Sequence, residues 1–71
     1  MIEKAIAIQI QQRALAAVRE LSTILFEIKD QCSEEDYMLV KRGVGLSIGS
    51  IQIDLLRIIN TQHPEIDDLR E

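Results

Sequence analysis

The chain is poor in the residue types that staple, break or mark a small protein. Its 71 residues include one cysteine, one proline, one histidine, one tyrosine, one phenylalanine, three glycines and no tryptophan. With Cys32 alone there is no intrachain disulfide and no cysteine-built metal cage, and a reducing cytoplasm is the expected location. Two aromatic residues leave the core to aliphatic side chains. Apolar residues make up 46% of the chain and twelve are isoleucine, a composition suited to packing between helices. Basic charge is also scarce: eight Lys and Arg stand against twelve Asp and Glu, a net charge of −4. That balance argues against a general nucleic-acid or anionic-membrane binder, since both attract through excess cations. No run approaches the roughly 18 uncharged apolar residues of a membrane span. The apolar stretch from Ala5 to Ile10 is too short for a signal core and lacks a small-residue cleavage site. No membrane partner is expected.

What is present reads as an all-α chain of one domain, residues 1–71. Between Ile2 and Gln31 there is no Gly or Pro, and Ala, Leu, Glu, Arg and Gln favour helix throughout. Ile10, Ala14, Ala17, Leu21, Ile24 and Ile28 recur at alternating steps of four and three, a heptad seam on a first helix over about 2–31. Ser33 followed by Glu34, Glu35 and Asp36 signals a second helix start: a hydroxyl for a first-turn N–H, then acids at the positive end of the helix dipole. Tyr37, Val44, Ile48, Ile51, Leu55 and Ile58 carry its apolar face, so the second helix runs through the glycines over about 33–62. Pro64 disfavours helix at His63 and opens a short turn over about 64–69, with Ile66 and Leu69 facing inward.

Two helices joined by the short link from Asp30 to Ser33 fold back as an antiparallel hairpin. Setting Ile28 opposite Tyr37 brings Ala17 to Ile48, Ala14 to Ile51, Ile10 to Leu55 and Ala7 to Ile58. Large side chains then meet small ones, which is how an interface fills without voids.

One hairpin does not bury every apolar residue. Ile8, Leu15, Val18 and Leu25 lie beside or away from the first seam, and Leu39, Leu46, Ile53 and Leu56 form a second stripe on the second helix. Monomeric soluble proteins seldom leave such a surface in water. Covering each side chain contributes about 1.5 to 3 kcal/mol, large against the stability of so small a domain. The expected partner is the chain itself, two hairpins making a four-helix bundle. The other solution is a different protein, with this chain as its obligate subunit.

Gly43-x-Gly45-x-x-x-Gly49 resembles a variant of the dinucleotide fingerprint, but that motif must follow a strand and open a helix, and here Ser33 has already started one. Without a Gly-Lys-Ser or Gly-Lys-Thr sequence there is no P-loop either, and no cofactor is expected. Each interior glycine costs about 1 kcal/mol relative to alanine. Close approach of another helix over Gly43, Gly45, Gly49 and Ser50 would offset that cost, at or near a dimer axis.

His63 with Asp67 one turn later, and Glu65 nearby, offers an incomplete ligand set, because zinc needs three or four ligands. Cys32 at the turn has no partner thiol within the chain. Tyr37 and Ser33 have no base beside them, so no nucleophile–base pair is available. Lys41, Arg42 and Arg57 can contact phosphates, although Asp54 sits three residues before Arg57 and can pair with it.

The resulting expectation is a small non-catalytic interaction or regulatory module acting as a homodimer. By architecture alone, the hairpin is similar to small dimeric helical hairpins such as the repressor of primer, which binds RNA. An RNA- or DNA-binding regulator is therefore a second expectation, with pairing of two hairpins gathering Lys41, Arg42 and Arg57 on one face. A ligand or metal site inside the bundle is a third.

Overall fold

A computed structural model describes residues 1–66; Asp67, Asp68 and Leu69, assigned above to the end of the last turn, lie outside that range. Helix α1 covers Lys4–Ile28 and helix α2 covers Glu34–Ser50. The second helix continues without a break through a π-helical segment, Ile51–Leu56, into α3, Arg57–Gln62. Residues 64–66 form a single 3₁₀ turn. The described residues are helical with no strand, and the chain is an elongated two-helix hairpin, 45 × 18 × 16 Å.

The link between the helices is built from local hydrogen bonds. The Gln31 side-chain amide donates to the Glu27 carbonyl at 2.9 Å, and the Gln31 backbone N–H and the Cys32 thiol both reach the Ile28 carbonyl. The last turn of α1 thereby finds partners for carbonyls that a helix end leaves open. Ser33 then caps α2: its Oγ accepts the Asp36 N–H at 3.0 Å. Ser33→Ala is expected to lower stability by about 1 kcal/mol, measured as a shift in the urea midpoint with an unchanged slope.

The core sits at the far end from this link. Ala7, Ile59 and Ile66 are together and almost fully buried, with Ile2, Ile8 and Ile10 packed around them, while Ala14, Val44 and Leu56 continue the buried line. Here the structure corrects the sequence seam. Leu55 and Ile58 are 38% and 49% exposed, and Leu56 and Ile59, one residue further on, take their place at 3% and 1%.

The cause is the π segment. An i→i+5 turn holds one residue more than an α turn, so the apolar steps run Val44, Ile48, Ile51 and then, five residues on, Leu56. The facing on α1 is also rotated. Ala7, Gln11 and Ala14 are buried, whereas Ile24 is 36% exposed. Glutamine at an inward position is stabilised on one side only: its Nε2 donates to the Ile66 carbonyl at 3.4 Å, and its Oε1 has no partner.

Candidate interaction face

On α2 the side that faces the hairpin carries Tyr37, Val44 and Ile48, half-buried or buried. The opposite side carries Leu39, Leu46 and Ile53 at intervals of seven, and these three are 64%, 67% and 62% exposed. A seven-residue step nearly returns to the same angle on a helix, so they form one stripe pointing away from α1. Leu56, read from the sequence as the stripe's fourth member, belongs instead to the core, because the π turn carries it inward. Leu15, Val18 and Leu25 on α1 are half-buried. Val18 and Leu25 share the α1 face of Ala7, Gln11 and Ala14, so the hairpin itself covers part of them.

Small residues flank the stripe. Gly43 and Gly45 are exposed and Gly49 half-buried, and a Cβ placed on any of the three meets no atom within 4 Å. Packing within the hairpin therefore gives no reason for a glycine at these positions. None has a positive φ, so backbone conformation gives none either. Ser47 Oγ donates to the Gly43 carbonyl at 2.9 Å, tying its hydroxyl to the helix itself. Ser50 Oγ donates to Asp54 Oδ2, also at 2.9 Å. That bond corrects the expected pairing of Asp54 with Arg57: among the described residues the ion pair is Lys4–Glu65, with His63 Nδ1 beside the same carboxylate.

The stripe ends in a shallow groove of about 410 Å³ lined by Ile53, Asp54, Arg57, Ile58, Thr61 and Gln62. Every one of these belongs to the π segment or α3, so the groove lies along one helix and not between two.

His63, beside Pro64, is largely enclosed. Its side chain is 14% exposed, and its Nε2 lies 2.6 Å from the Ile2 carbonyl and serves as donor there. The Ile2 N–H donates to Gln62 Oε1 at 2.9 Å, so the segment before α1 is clasped by the residues that end α3. Glu65 lies 3.6 Å from Lys4 Nζ and 3.5 Å from His63 Nδ1. Its carboxyl is held below the usual range, first by a hydrogen bond from its own backbone N–H; desolvation opposes this, and Lys4 and His63 lower it further. These contacts fasten the hairpin's open end. Among the described residues no three of His, Cys, Asp and Glu gather closely enough to hold a metal ion, and Asp67 lies outside them.

Cys32 is half-buried, its thiol bound to the Ile28 carbonyl. Lys41, Arg42 and Arg57 are exposed. Lys41 points to a different side of α2 from Arg42, as residues one apart on a helix must. No helix among the described residues is long and apolar enough to cross a membrane. Sequence periodicity missed three features of the molecule: the inward Gln11, the Ile2–His63 clasp and the buried Leu56. The last had no signal in the sequence, because Leu55, four residues after Ile51, continues the regular apolar step. No protein-family model, characterised protein or solved structure matches the chain.

Proposed function

We propose that this chain is a small non-catalytic protein–protein interaction module that works as a homodimeric helical bundle, associating through the outer face of α2. The observation that carries the reading is the pairing of two features on that face: three large aliphatic side chains more than 60% exposed, and glycines that nothing in the hairpin requires. A helix tolerates glycine at a cost of about 1 kcal/mol each, and a second helix approaching closely would offset it.

Size-exclusion chromatography with light scattering tests this reading. The expected mass is that of two chains, and Gly49→Leu is expected to give a folded monomer, because the added side chain occupies space that is open in the single hairpin. A wild-type chain that stays monomeric at high micromolar concentration would refute the proposal.

A further inference from the structure

We infer that the occupant of the α2 outer face is a second copy of this chain, docked antiparallel about a twofold axis that passes beside Leu46; this rests on the dimer reading above and specifies its geometry. Leu39 and Ile53 stand seven residues to either side of Leu46. An isologous antiparallel contact centred there sets Leu46 against itself and Leu39 against Ile53 of the second copy. The same register brings Gly43 beside Ser50, so the two backbones can approach closely along the flank of the stripe.

Charge chooses the direction. Glu35 lies one turn before Leu39 and Arg57 one turn after Ile53, both are exposed, and neither makes an ion pair among the described residues. Antiparallel docking sets Glu35 opposite Arg57 twice, once on each side of the axis. Parallel docking would set Glu35 against Glu35 and Arg57 against Arg57, and like charges facing each other across an interface disfavour that arrangement. The glycines permit close contact but carry no direction; the ordering Glu35, Leu39, Leu46, Ile53, Arg57 does.

Disulfide trapping in a Cys32→Ser background tests the register. Leu46→Cys is expected to cross-link to its own copy under mild oxidation, since the two Cα atoms fall within the ~7 Å that a disulfide allows. Leu39→Cys alone is expected not to, because its copies stand about 21 Å apart along the helix, while Leu39→Cys combined with Ile53→Cys is expected to form a doubly linked dimer. These positions are solvent-facing in the hairpin, so circular dichroism should show all variants folded. As an independent arm, Arg57→Glu is expected to weaken dimerisation at least ten-fold, and adding Glu35→Arg is expected to restore it. If light scattering shows a dimer yet Leu39→Cys cross-links to itself, or Leu46→Cys does not, this register is overturned and the dimer stands. If the protein is a monomer, both fall.

Discussion

Truncating Ile59 to alanine is expected to remove most of the stability of the hairpin. Ile59 is 1% exposed, lies against Ala7 and Ile66, and is one of the two largest side chains that are fully enclosed. Removing its outer carbons sacrifices their transfer free energy and leaves a cavity; for a buried isoleucine the combined loss is about 2 to 5 kcal/mol. A chain of this length has about 4 to 10 kcal/mol in total, so a substantial unfolded population should be visible by circular dichroism at 37 °C. The informative control is the adjacent Ile58→Ala. Ile58 is 49% exposed, and its truncation should lower the unfolding free energy of the single hairpin, read from urea denaturation, by less than about 0.5 kcal/mol. A regular α-helix carrying the 3–4 apolar pattern would reverse the two results. The pair therefore tests the π segment as well as the core.

The second large effect concerns the length of the chain instead of its side chains. Deleting Asp54 is expected to be tolerated, whereas deleting Lys41 is expected to unfold the protein. Asp54 lies inside the π segment, Ile51–Leu56. Removing one residue there lets the turn close as ordinary α-helix, with Leu56 and Ile59 still directed at α1. Lys41 lies in regular helix, where one lost residue turns everything on one side of it by about 100° relative to the other, taking Val44 or Tyr37 off the core face. Thermal melts of the two deletions should separate clearly: the Asp54 deletion within several degrees of the parent, the Lys41 deletion without a cooperative transition. The Asp54 deletion also loses the Ser50 hydrogen bond, which is exposed and contributes little.

Much of the hairpin was legible because its signals are local. The Ser33 cap, the acids after it, and the interruption at His63–Pro64 each act within a turn of chain, and the structure places Ser33 at the N-cap and ends α3 at Gln62. The seam was harder. Heptad counting assumes one constant angular step per residue, so a single π turn at Ile51 displaced every later assignment by one, replacing Leu55 and Ile58 with Leu56 and Ile59. The outer stripe survived for a related reason: Leu39 and Leu46 precede the π segment and Ile53 lies only two residues into it. Gln11 and His63 were illegible on other grounds. Each is stabilised inside by a backbone carbonyl, of Ile66 and Ile2 respectively, more than fifty residues away in sequence. Side-chain polarity argues for the surface until that distant acceptor is known.

The clasp between Ile2 and His63 has a mechanical meaning. Because it brings the two ends of the hairpin side by side, a force applied between residue 2 and residue 66 loads the contacts one after another, as in unzipping. The contacts of Ile66 and the clasp bonds of Ile2 with Gln62 and His63 bear the load first, then the Ala7–Ile59 contact, and the Cys32 turn last. Such a molecule yields at low force when pulled from its ends. An attachment on the outer face of α2 would load the same core in shear, and the hairpin should hold there to a higher force.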